Sequence, residues 1–211
     1  MKNYLTEVIG TFFLVLTIGL TAIGGTTFAP LAIGSALMVM VYMGGHISGG
    51  HYNPAVSLAV VMRGKLDRKE LLPYWVSQVV GAFLAAAVVY VIAGQTFAPA
   101  PGADASAMSV LLIEFLFTFA LCLVVLNSAT ASGTEGNSFY GLAIGFTVMV
   151  GAFSGGGISG GAFNPAVGTG PILMNVIAGG GSLGNLWFYL VGPFLGAIVA
   201  STVFKIQNPG D

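Results

Sequence analysis

Charge is what this chain most lacks: Asp, Glu, Lys and Arg together make up 6 % of its 211 residues, against roughly a quarter in soluble domains. That leaves little room for a solvated domain, and beyond one short loop there is no basic patch of the kind a nucleic-acid surface needs. The single cysteine, Cys122, excludes an intrachain disulfide. No Asn-x-Ser/Thr sequon occurs, and no Cys or carboxylate stands at ligand spacing from the two histidines, His46 and His51, so neither a metal nor any other cofactor is expected. No nucleophile–base pair argues for an enzyme. What fills the chain instead is apolar sequence, 56 % of the residues with a mean hydropathy of +0.94, in stretches too long and unalternating for barrel strands. The composition is that of an integral membrane protein.

Six spanning helices are expected, at Leu5–Ile23, Leu31–His46, Leu71–Ala93, Met108–Asn127, Phe139–Phe153 and Leu186–Lys205. The first follows Met1-Lys2 without a small-residue cleavage site and reads as a retained helix. Several fall short of the ~20 residues that cross a bilayer, and Gly-rich continuations of the second and fifth are expected to complete the depth as extended chain. Lys2, Arg63, Lys65, Arg68, Lys69 and Lys205 are the only cations. With six spans, the N-terminus, the Arg63–Glu70 loop and the C-terminus share a side, which the positive-inside rule makes cytoplasmic.

The chain contains an internal repeat. Leu31–Val56 aligned on Leu142–Val167 gives 16 identities in 26 positions, and Gly81–Ala86 matches Gly192–Ala197 at the same offset. Glu7 and Glu114 sit one per half. The halves, 1–98 and 104–211 of a single domain, contain three spans each, so the second enters from the opposite face: an inverted repeat. Each half carries Ile-Ser-Gly-Gly-x-x followed by a polar triplet, Asn53-Pro54-Ala55 and Asn164-Pro165-Ala166. Asn as N-cap and Pro at the first helical position start helices well, and the apolar runs that follow are too short to span. The fold class expected is therefore all-α, with six transmembrane helices and two re-entrant half-helices whose positive ends meet at the midplane. Asn53 and Asn164 would then point amide donors into a lumen. The carbonyls of Gly50, His51 and Tyr52, and of Gly160, Gly161 and Ala162, would line it as acceptors. Glu7 and Glu114 are read as acceptors for loop amides that have no helical partner.

With these motifs the chain resembles the aquaporin (major intrinsic protein) family over nearly its whole length, from His46–Val56 through the second triplet, the two membrane glutamates and Trp187–Gly196. The resemblance implies a homotetramer with one pore per protomer, and passive conduction of water or small neutral solutes. It places an outer constriction at Ile33, Ala152, Gly161 and Val167. Most members carry Arg at the position of Val167, and water-selective ones an aromatic and a His at the first two. This apolar, small-sided ring is closest to that of plant vacuolar-membrane aquaporins. A wider ring would admit ammonia, hydrogen peroxide, urea or glycerol, unless nearby bulk such as Phe153 or Phe163 narrows it to a strictly water-selective pore. Secondary transporters also use inverted repeats and broken helices, but neutral Asn side chains at the midplane offer no coupling group. A junction protein would need larger outer loops, and an ion channel a charged ring. Short termini without targeting signals point to a prokaryotic inner membrane.

One expectation follows from the thiol inventory. The constriction position where many relatives have a mercury-sensitive Cys is Gly161, so mercurials should inhibit weakly; strong block abolished by Cys122→Ser would contradict this.

Overall fold

A computed structural model describes all 211 residues. Eight α-helices follow in order: α1 (Lys2–Ile23), α2 (Ala29–Ser48), α3 (Pro54–Arg63), α4 (Leu71–Ala93), α5 (Ala107–Ala129), α6 (Tyr140–Ser159), α7 (Pro165–Ala178) and α8 (Leu186–Gln207). Six are long and apolar enough to cross a membrane; α3 and α7 are not. A 22-residue helix such as α1 is about 33 Å long at ~1.5 Å per residue, enough for the hydrocarbon core.

Two boundaries differ from expectation for one reason. α2 and α6 do not give way to extended chain at His46 and Phe153 but continue to Ser48 and Ser159. The glycines of the continuation are poor helix formers, yet Gly155 lies so close to Ile113 of α5 that a side chain there would collide with it. Packing against α5 outweighs propensity at that turn. Both helices stop at glycines in the left-handed region, Gly49 (φ 92°) and Gly160 (φ 88°). The loops to the triplets are not the extended chain expected either: Gly49, Gly50 and Tyr52 in the first, and Gly160, Gly161 and Phe163 in the second, all have positive φ. The second half-helix is longer than the first, 14 residues against 10.

The repeats interlock. Within each, the first and third spans pack most closely, α1 on α4 and α5 on α8, while α2 crosses α6 between the halves. The half-helices cross over: α3 packs against α8 of the other repeat, and α7 against α4. Small residues make these approaches close enough, as in other membrane helix pairs. A Cβ on Gly34 would strike the carbonyl of Gly145, and one on Gly145 would strike that of Gly34. Gly81 lies over the Val8 carbonyl and Gly196 over that of Phe115 in the same way.

Side-chain contacts tie the connections on the face that carries both termini to each other. Tyr4 donates to Glu70 (2.7 Å), Arg63 pairs with Asp211 (3.0 Å) and lies over the Phe204 ring, and Asp211 accepts from the Ser132 amide (2.9 Å). On the opposite face the segment before α5 folds back: Gly102 donates to the carbonyl of Ile158 (3.0 Å) and Thr96 to Asn175 (2.7 Å). Large apolar side chains such as Phe13, Val91, Phe146 and Leu195 are exposed around the outside, the arrangement of a surface that meets lipid rather than water.

Tyr52 anchors the first loop, its fully buried ring pressed over Gly10 of α1 and Gly44 of α2 and its hydroxyl donating to the Met40 carbonyl (2.9 Å). A methyl at position 10 has no room beside that ring. Gly10→Ala should therefore destabilise the protein by about 1–3 kcal/mol, the usual cost of overpacking, read as a lower thermal midpoint in detergent; an unchanged midpoint would contradict this packing.

Candidate functional site

The site is built from the two re-entrant loops and the helix starts they feed. In both triplets the Asn is the N-cap, extended in backbone (φ −157° and −160°), with its side-chain oxygen accepting from the amide two residues on (2.9 Å in each) and Pro at the first helical position. The residue before each Asn is in the left-handed region, Tyr52 and Phe163 both at φ 48°, which bulky residues rarely adopt. Two contacts hold each of them there, one through the amide and one through the carbonyl.

The amide side belongs to the glutamates. Glu7, fully buried, accepts from Ser48 Oγ (2.7 Å) and the His51 amide (3.0 Å) on one oxygen, and from the Tyr52 amide (2.7 Å) and Gln78 Nε2 (2.8 Å) on the other. Glu114, equally buried, accepts from Ser159 Oγ (2.7 Å) and the amides of Ala162 (3.1 Å) and Phe163 (2.7 Å). A carboxylate oxygen satisfies two donors at once, so one side chain serves a whole loop turn.

The carbonyl side belongs to the asparagines, and it is exchanged between repeats. Asn53 Nδ2 donates to the Phe163 carbonyl and Asn164 Nδ2 to the Tyr52 carbonyl, both at 2.9 Å. This corrects two expectations. The Tyr52 carbonyl is not a free rung of the acceptor ladder, because Asn164 of the other loop occupies it. Each Asn amide also spends one of its two N–H groups on that clasp, leaving one for a passing solute. No hydrogen bond within the protein uses the carbonyls of Gly50, His51, Gly160, Gly161 or Ala162.

The loops are braced from behind by different residues in the two halves. Tyr74 and Tyr189 donate to the carbonyls that end α2 and α6, Ser48 (2.8 Å) and Ser159 (2.7 Å). In the first half a polar chain adds to this: Gln78 Nε2 reaches Ser57 Oγ (2.8 Å), which contacts His51 Nδ1 (3.1 Å). In the second half Ala162 and Gly168 stand where His51 and Ser57 would be, and Tyr189 packs over Gly168. Trp75 Nε1 donates to the Pro54 carbonyl (2.9 Å); Trp187 is 44 % exposed and stacks on Phe188.

A cavity of about 410 Å³ runs from the opposite face past both triplets. Asn53, Asn164 and all four residues of the expected ring, Ile33, Ala152, Gly161 and Val167, line it, and no Asp, Glu, Lys or Arg does. The two residues suspected of narrowing the ring are placed differently. Phe153 is 58 % exposed on the outside, and Phe163 borders the cavity but its ring is turned onto Phe117 (5.3 Å between centroids). A second cavity of about 740 Å³ opens on the face that carries both termini, lined by His46, Lys65 and the connection between α5 and α6. Sequence reasoning missed Leu14 and Ile18 of α1 and the segment from Phe97 to Ala100, all of which line the first cavity. Nothing local showed that this segment turns inward.

Two half-helices starting back to back, inside a six-helix inverted repeat and beside an uncharged passage, define a membrane channel. The family profile described as Major intrinsic protein matches residues 1–204, and the chain belongs to that family. It is 35 % identical to "Aquaporin NIP1-1" of Zea mays, over 98 % of this chain and 74 % of that protein. It is 34 % identical to "Glycerol uptake facilitator protein-like 6" of Lactiplantibacillus plantarum, over the full length of both. The X-ray structure of the aquaglyceroporin from Plasmodium falciparum superposes with a TM-score of 0.88 at 25 % identity, covering 99 % of this chain and 97 % of that one. The protein is a passive channel for water and small solutes, not an enzyme.

Glu7→Gln would turn an amide NH2 toward donors of the first loop, at about 1–3 kcal/mol for the unmet hydrogen bonds. The expected outcome is reduced yield and thermal stability with an unchanged solute-to-water permeability ratio; normal yield with altered selectivity would contradict a holding role.

Proposed function

We propose that this channel conducts water together with small neutral solutes of the size of ammonia, hydrogen peroxide, urea and glycerol. The observation that carries the reading is the outer ring: Ile33, Ala152, Gly161 and Val167 are apolar or small, and the cavity they line carries no fixed charge. Selectivity in such pores depends on diameter, lining hydrogen-bond groups and electrostatic barriers. An aliphatic Val in place of a guanidinium widens the ring and removes a donor that competes for water. Relatives named as a glycerol uptake facilitator and an aquaglyceroporin support the same direction.

In this reading a solute meets the free carbonyls of Gly160, Gly161 and Ala162, then the remaining N–H groups of Asn53 and Asn164, then the carbonyls of Gly50 and His51. The converging N-terminal dipoles of α3 and α7 repel cations where the Asn side chains turn the solute's acceptors toward them. With no cation at position 167, ion exclusion depends on these dipoles. The channel unit comprises both repeats, 1–98 and 104–211, and four copies assemble as a homotetramer. The inner face, with Lys2, Arg63, Lys65, Arg68, Lys69 and Lys205, is cytoplasmic by the positive-inside rule, in a prokaryotic inner membrane.

Stopped-flow light scattering on proteoliposomes tests this, comparing water efflux with urea, glycerol and ammonia uptake. Wild type should pass the solutes, and Val167→Arg should exclude them while water flux survives. Wild-type vesicles that pass water but none of the solutes would contradict the proposal.

A further inference from the structure

The outer ring does not divide the path through this protein. Ile33, Ala152, Gly161 and Val167 all lie along one uninterrupted cavity that continues past the Asn side chains to Val56 and Leu121. The division falls further in. Of all the residues lining the two cavities, only His51, Val125 and Ile144 border both. Leu37, Val56 and Leu121 face the first cavity alone, and Val41 and Val60 the second alone. The three shared residues come from three directions, the first loop, α5 and α6, and each is nearly closed off, at 7 %, 6 % and 5 % exposure.

We infer that a neck formed by His51, Val125 and Ile144, inward of the Asn-Pro-Ala triplets, sets the upper limit on solute size in this channel. The inference deepens the reading of a broad outer ring: with no bulk or cation outside, the next narrowing on the path becomes limiting.

The walls of the neck cannot easily withdraw. His51 is held by Ser57 through Nδ1, by Glu7 through its amide, and by the Tyr74 ring at 5.2 Å. Ser57 is in turn held by Gln78, and Gln78 by Glu7. Ile144 directly precedes Gly145, whose contact with Gly34 fixes the distance between α6 and α2. Val125 and Ile144 are both β-branched, with one strongly preferred rotamer in a helix, so neither swings aside cheaply. Two stiff aliphatic walls face one imidazole. Water keeps a partner at His51, while a larger solute must shed its hydration against Val125 and Ile144.

Solute and water permeabilities of proteoliposomes, normalised to inserted protein, test the neck. The variants are Val125→Ala, Ile144→Ala, Ile144→Val and, as the outer-ring comparison, Ile33→Ala; the probes are urea and glycerol. Val125→Ala and Ile144→Ala should each raise the glycerol-to-water ratio by about tenfold, the low end of what a methylene changes in an apolar pocket. Ile144→Val should raise it less, and serves where the alanine variants are not recovered folded. Ile33→Ala should leave it unchanged. A ratio that ignores the neck variants overturns the inference, whatever the wild type conducts. A wild type closed to both solutes that Ile144→Ala opens would contradict the broad-solute reading and support the neck.

Discussion

Non-helical backbone inside a bilayer finds no water for its amides, and in this chain two buried carboxylates meet that need. Glu7 and Glu114 each gather the amides of one re-entrant loop together with the serine that ends the preceding span. The cost of burying each carboxylate is offset by the donors it gathers. Everything at the centre depends on this. The carboxylates fix Tyr52 and Phe163 in the left-handed region, that geometry aims the following Asn as an N-cap, and the N-cap starts the half-helix. Remove the carboxylate and the loop amides are left unsatisfied inside hydrocarbon.

The second constraint is exchange between halves. Each Asn holds the carbonyl of the opposite loop, and each half-helix packs on the third span of the opposite repeat. One repeat alone therefore has neither a completed pore wall nor a completed core. Glycines at the crossings, Gly34 against Gly145 above all, allow the halves to approach until the loops touch. The symmetry is not complete. His51, Ser57 and Gln78 form a polar chain in the first half; in the second, Ala162 and Gly168 offer no side-chain polar group and Tyr189 packs over Gly168. That difference gives the two ends of the passage different chemistry.

Much of this was legible in the sequence because it is local or repeated. Asn followed by Pro states a helix start within two residues, and its recurrence in matched surroundings separates it from an ordinary cap. Glu7 and Glu114 declared themselves as one carboxylate per half in otherwise uncharged spans. What was not legible depends on distant contacts. The Gly-rich ends of α2 and α6 read as extended chain, since nothing local shows the packing that keeps them helical. The engagement of the Tyr52 carbonyl by Asn164 spans the two halves. Phe97–Ala100 line the passage only because their segment is tied to α6 and α7. Val125 and Ile144 are ordinary aliphatic residues in apolar helices, and only the position of the two cavities singles them out.

The central claim is that two clasped loops and their converging helix starts pass water while interrupting proton flow, without help from a cation at position 167. Its most direct test is proton flux across proteoliposomes under an imposed pH gradient, on the same preparation whose water permeability is measured. The account predicts fast water movement with a proton leak no greater than that of empty vesicles. Proton flux that scales with the amount of inserted protein would contradict it.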